Sequence, residues 1–541
     1  MKLKKYFYYA LILIFITASF FVMPSAYAAK NKNKIEPEKI LYIPHDNRPV
    51  VHKQTMEVVE RAGYEVIMPP YELLGNREDL GHPDRLWEWL ETTVDKDKNI
   101  KAVVLSSDSL IYGSLVGSRK HYYGKQLVLE RTELFRNFCN ENKDLPIYIF
   151  GSVMRTSRTG EASGYEEPDY YRNYGTNIFR YTSLVDKQEL AGLTAREEKE
   201  KAFLELLIPE RAMTDWMDRR GKNYESNQML IDMARNNLFN CLLLGRDDNA
   251  PYSQTHKEGR NLQHYGRSID PRRYQTIAGI DEFGLMVLAR AINDLTKTSP
   301  LVYVNYNTGA GPNIIPSYSD EKIDKTINSE IVATGARRTE DPARADFIFA
   351  VNTNPNGITY EAAGSLNYGQ DRDGVNYFAN MVNSHIKNGR PVVIADIAFA
   401  NGSDNALMEQ LRQRDLLFKL DAYAAWNTPT NAVGFALSTG MLAKKMKLSD
   451  KRQLLLTRYI DDWGYQANVR KVVKAQLHGM RGGSLFDVLN EEKYFATERC
   501  RTLMQDFANK NLDKVQFDGG FNINFPWNRM FESDITYKIK S

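Results

Sequence analysis

The feature that most limits what this chain can fold into is an alternation of short apolar runs with amphipathic stretches of helical period. Residues 41–44, 65–68, 102–105, 147–150 and 241–244 read as buried strands. Residues 55–62, 86–94, 127–139 and 188–237 carry helical patterning between them. The pattern restarts with strands at 301–304, 347–351, 392–395 and 422–425 and helices near 377–387, 406–417 and 430–442. Parallel strands joined by crossover helices produce such a pattern, because each strand is covered on both faces and becomes apolar throughout. The expected class is α/β. Residues 39–298 form a first β/α domain, barrel-like or open, and 299–450 a flavodoxin-like α/β domain. Residues 451–541 form a helical region closing over both. The break near 298 follows from the Lys297-Thr-Ser-Pro300 punctuation.

The amino terminus is read apart from the fold. Lys2, Lys4 and Lys5 precede an apolar run over residues 11–23; Pro24 and Ala26-Tyr27-Ala28 follow. This is the layout of a secretory signal over residues 1–28, cleaved after Ala28. The run is shorter than the roughly 20 residues of a membrane span. The expectation is therefore a secreted or extracytoplasmic protein with no stable membrane span after cleavage. Residues 29–38 read as a flexible, Lys-rich linker. Cleavage lowers Lys+Arg from 71 to 68, equal to the 68 Asp+Glu. A neutral chain of this kind argues against nucleic acid as a partner. Cys139, Cys241 and Cys500 match no metal or redox spacing and read as buried thiols.

Chemistry is expected at the carboxyl ends of the strands, where parallel sheets bind ligands. Those ends are polar nearly every time. The first run leads into Asp46 and Arg48, the third into Asp108 and Tyr112, and the fourth into Arg155. The 241–244 run ends in Arg246, Asp247 and Asp248. In the second half the ends carry Asp396, Asn401 and Asp404, then Trp426, Asn427 and Asn431. Adjacent Asp247 and Asp248 project to different sides and can occupy unlike environments. One can then act as a proton donor while the other steadies charge, as in substrate-assisted glycosidases. Asp46, Arg48, Asp108 and Arg155 would hold the sugar.

The sequence keeps other readings open. Asp46, Asp108, Asp247 and Asp248 could hold a hard cation in a metal-dependent hydrolase. The chain could also be a non-catalytic extracytoplasmic binder of a small-molecule or glycan ligand. More mundanely, the Asp247-Asp248 segment could supply a helix N-cap and a salt bridge to Arg246, and Arg48 could lock its loop against an aspartate. Asp281-Glu282 reads as a pair of acids suited to a helix dipole. The 458–463 and 525–529 segments mix aromatics with charge, as sugar platforms and core corners both do. No Gly-x-Ser-x-Gly or His-Glu-x-x-His occurs, and no motif names a cofactor, which stays unknown.

Six segments in order resemble an uncharacterised bacterial family, domain-of-unknown-function family 4127. They are Tyr42-Ile-Pro-His-Asp-Asn-Arg-Pro49, Ser107-Asp-Ser-Leu-Ile-Tyr-Gly113, Gly245-Arg-Asp-Asp248, Asn401-Gly-Ser-Asp404 with Asp396 before it, Trp426-Asn-Thr-Pro-Thr-Asn431 and Phe525-Pro-Trp-Asn-Arg529. The resemblance spans nearly all of the chain after residue 38 and implies no activity. His45 and Asn47 flank Asp46 where the family pattern carries Leu and a second Asp. That leaves Asp46 and Arg48, rather than Asn47, as the candidates there.

Overall fold

A computed structural model of the chain describes residues 37–160, 164–369, 372–481 and 488–540. The expected signal segment and all but the last two residues of the linker lie outside the described residues. The first six strands are β1 (Lys39–Ile43), β2 (Glu65–Ile67), β3 (Ile100–Ser106), β4 (Ile147–Val153), β5 (Cys241–Arg246) and β6 (Tyr274–Ala278). All neighbours pair in parallel, in the order β2-β1-β3-β4-β5-β6. The sheet does not close, so the open arrangement is found and the barrel is not. Its first five strands follow the flavodoxin-type order, and β6 extends the edge. Ala102 to Leu105 and Leu41 to Ile43 are fully buried, as expected of strands covered on both faces.

The second sheet contains β7 (Leu301–Tyr306), β8 (Arg337–Arg338), β9 (Phe347–Asn352), β11 (Val392–Asp396) and β13 (Ala422–Ala424). Its order is β13-β11-β9-β7-β8, again parallel throughout. Read from β8, this is the same flavodoxin-type order as in the first sheet. Two short strands, β10 (Tyr360–Glu361) and β12 (Phe399–Ala400), pair beside it.

The two sheets share one apolar core. Helices Phe283–Leu295 and Pro429–Ala443 are buried along almost their whole length. A single cluster runs from Val104 and Phe150 through Leu288 and Val433 to Val393 and Ala424. The turn near residue 298 interrupts the chain, but the core crosses it, and Lys39–Ser541 forms one compact unit. Glycine permits the closest approaches: a Cβ on Gly440 would lie 2.5 Å from Val393 Cγ2.

The last region is helical only in part. Leu448–Arg458, Tyr459–Val469, Arg470–Arg481 and Lys493–Asn511 are helical, the second with π-type bonding. An antiparallel pair, β14 (Phe517–Asn524) and β15 (Asp534–Ile539), then corrects the all-helical expectation. Gly519 and Gly520, both at φ 78°, break the alternation that would have marked the strand. Strand β6 was also missed; Gln275 and Thr276 disguise a segment whose five residues are all buried. Cys139, Cys241 and Cys500 are buried free thiols. Among the described residues no helix is long and apolar enough to cross a membrane.

Two glycines test this packing. Gly440→Ala forces a methyl group against a stiff, β-branched Val393 and is expected to cost about 1–3 kcal/mol. Gly221→Ala, at an exposed position of helix Glu210–Arg235 with no atom within 4 Å of the added Cβ, is expected to stabilise by about 0.5–1 kcal/mol. Urea midpoints of the two variants read both signs.

Candidate functional site

The loops after β1, β3, β4, β5 and β6 leave the first sheet at one end, and their charged residues meet there. Arg48 is the hub of the first group. Its Nε donates to both oxygens of Asp46 at 3.0 and 2.9 Å. Its Nη1 and Nη2 donate to Asp281 at 3.0 and 2.6 Å, a two-pronged match of guanidinium and carboxylate. His45 Nε2 lies 3.1 Å from the same Asp281. Burial opposes ionisation of Asp281, but Arg48 and then His45 outweigh it and hold the carboxyl far below the usual range. Asn427, from the second half, donates to Asp281 at 3.0 Å, and Asn431 donates in turn to Asn427. Arg48 is thus the loop-locking residue of the plainer reading, and the aspartate dismissed as a helix-dipole acid is its principal partner.

A second group adjoins it. Arg119, Arg155 and Arg529 surround Glu166. Burial works against that carboxylate, yet Arg529, Arg155 and Arg119 together hold it well below its ordinary range. Arg155 also donates to Glu167 at 2.5 Å and to Asp248 at 2.9 Å. Arg529 also pairs with Glu532. Trp527 lies between the groups, its ring centre 5.3 Å from Arg48 Cζ and 4.8 Å from Arg529 Cζ. Its Nε1 donates to Asn47 at 2.9 Å, so this aromatic is a buried corner. Glu166 and Glu167 carried no sequence signal; they sit in an irregular segment between β4 and the next helix.

Asp247 and Asp248 follow β5 into unlike surroundings. Asp247 has 5 % of its side chain exposed and receives Arg119 Nη2 at 2.5 Å. Asp248 keeps 33 % exposed and takes one hydrogen bond from Arg155. Its φ of 37° is a left-handed backbone, which aspartate tolerates better than most side chains do. Its carboxyl is recessed, so loss of solvation first, and then the charge of Asp247, push its pKa up to about 6 against Arg155 and Arg119. Asp108 lies in the same field. Burial pushes it up to about 6, while Ser152 donates to one oxygen at 2.8 Å and the other finds no partner among the described residues.

Of the remaining sequence candidates, Asn401 is tied through Glu361 to Tyr318, and the others lie apart. Arg246 turns from Asp248 to Asp320, at 2.7 and 2.9 Å, and to the Thr276 carbonyl. Tyr112 is buried and stacks on His121 with ring centres 4.9 Å apart. Asp396 and Asp404 belong to a sealed cluster at the ends of the second sheet. Asn352 donates to them at 2.8 and 3.1 Å, and Tyr423 donates to Asp396 at 2.8 Å. Asn401 donates to Glu361 at 2.9 Å, and the Trp426 ring packs under Arg470. Among the described residues no three His, Cys, Asp or Glu side chains are arranged to hold a metal ion. The aspartates considered for that role include Asp46 and Asp247, which guanidinium groups already occupy.

Two measurements test these placements. Arg155→Met strands Glu167 and Asp248, removes one of the three guanidinium partners of Glu166, and is expected to cost about 3–5 kcal/mol of stability. Asp396 is pushed up to about 7 by burial, then by the Asp404 charge; burial likewise raises Asp462 to about 7. An unfolded Asp titrates near 3.9. The folded chain therefore holds these protons more tightly, and that stabilisation is complete below about pH 4 and lost as pH rises through about 7. The melting temperature is expected to fall between pH 5 and 8, and Asp396→Asn to flatten that fall.

Comparison with curated proteins and with solved structures gives no match. Residues 40–536 match the family described as protein of unknown function, DUF4127, and the chain belongs to that family.

Proposed function

We propose that the chain is an exported hydrolase that acts on cell-envelope or environmental glycans, with Asp248 as proton donor. The contrast between Asp247 and Asp248 carries this reading. A glycosidic oxygen leaves readily only if a proton reaches it, and a carboxylic acid can supply one near neutral pH when its pKa is raised. Asp248 reaches solvent, has a raised pKa and is oriented by Arg155. Asp247 is held against Arg119 beside it, where its negative charge helps Asp248 retain the proton and can steady a developing positive centre. Tyr318, whose phenol feels the Asp248 charge, and Glu361, which accepts the Tyr318 hydrogen bond at 2.9 Å, form the neighbouring surface. The shared core of the two sheets works against a hinged binding protein, because closure would have to shear packed helices.

Screening of the chain from Ala29 onward against cell-wall fragments and glycans should find a substrate. On that substrate Asp248→Asn is expected to lower kcat by about 10²–10⁴-fold while melting at the wild-type temperature. Full activity in that variant removes Asp248 from the mechanism. The donor must carry its proton, so wild-type kcat/KM should decline as pH rises through about 6. Loss of turnover on chelation, restored by a divalent cation, would favour the metal-dependent alternative. Intact mass of the exported protein is expected to begin at Ala29; a chain retaining residues 1–28 would overturn cleavage.

A further inference from the structure

A separate cleft of about 770 Å³ opens where helices Asn405–Gln413 and Lys493–Asn511 and the π-type helix meet the loop over residues 364–369. Its charges do not cancel. Glu409 is taken by Arg412, at 2.9 and 2.8 Å, and by Gln413 at 2.7 Å. That leaves Lys471 and Lys510 in the lining against Asp506. Lys471 is half-buried, and burial alone lowers its pKa; no carboxylate among the described residues lies within ion-pair reach. An ammonium drawn partly out of water without a counter-charge is costly, and an anionic ligand removes that cost.

The rest of the lining suits hydroxyl groups. The amide nitrogen of Asn468 donates to two protein oxygens, and those of Gln413 and Asn511 to one each. Their carbonyl oxygens remain as acceptors, which is what a sugar hydroxyl requires. Tyr368 stands at the lip with 46 % exposure, a flat apolar face ending in a hydroxyl. Trp463, held by its Nε1 on Asn405 at 3.0 Å, lines the same cleft with Phe507 packed edge-on against it.

We infer that this cleft binds a carboxylate-bearing saccharide, Lys471 meeting the carboxylate, the amide oxygens the hydroxyls and Tyr368 the sugar face. The inference does not depend on the hydrolase reading, because it concerns binding alone. Calorimetric titration of the chain from Ala29 onward with trigalacturonate and N-acetylmuramic acid, against neutral maltotriose and N-acetylglucosamine, tests it. At least one acidic sugar is expected to bind about tenfold tighter than its neutral counterpart. Lys471→Gln should erase that preference and Lys471→Arg should retain it. Tyr368→Ala should weaken acidic and neutral sugars alike. Equal affinity for acidic and neutral sugars overturns the inference, as does no binding of either acid at millimolar concentration. Inorganic tripolyphosphate binding as tightly as the sugars, with Tyr368→Ala silent, would reduce the cleft to a patch of positive charge and overturn it equally.

Discussion

A guanidinium buried away from water must be surrounded by acceptors, and four of them shape the end of the first sheet. Arg48, Arg119, Arg155 and Arg529 are all less than a tenth exposed, and each reaches at least two carboxylates. Desolvating each ion costs several kcal/mol, so the arrangement holds only where geometry sets at least two carboxylates against each guanidinium, even though Arg119 Nε finds no acceptor among the described residues. Satisfying that demand fixes the loops after β1, β3, β4, β5 and β6, together with the carboxyl-terminal segment, relative to one another. It also leaves one carboxylate unlike the others: Asp248 keeps an open side, with a third of its side chain exposed.

The two sheets repeat one strand order but spend their loop ends differently. In open α/β sheets ligands collect where the strand order reverses, here at β1 and β3 in the first sheet and at β7 and β9 in the second. The first position carries His45, Asp46 and Asp108. The second is closed by amides: Asn307 donates to Asn352, which donates to Asp396 and Asp404. Helix Phe283–Leu295 serves the first sheet and Pro429–Ala443 the second, and they pack on each other within the common core. Asn427 donating to Asp281 adds a polar tie across the same boundary.

Much of the fold was legible because an apolar run needs no knowledge of its partners. Nine strands were read from such runs, and each has its place in a parallel sheet. Among the segments that escaped, Gln275 and Thr276 dilute the local signal of β6 and Gly519 and Gly520 that of β14 and so of its partner β15, while β8, β10 and β12 are two residues long. The site was legible as a set of polar strand ends. Its wiring was not, since Arg48 and Asp281 stand 233 positions apart and Glu166 and Arg529 stand 363 apart. Arg246 beside Asp247 illustrates the difficulty, for its partners are Asp320 and Glu321 rather than its neighbours.

The sequence by itself determined the class of fold, the alternation of strand and helix and the end of the sheet at which charged residues collect. Each of these follows from a periodicity confined to a few neighbouring residues. Only the tertiary structure decided which carboxylate each arginine takes, and so which aspartate is held ionised and which keeps a raised proton affinity. Those outcomes depend on distance and desolvation between segments hundreds of residues apart, and no local pattern records either.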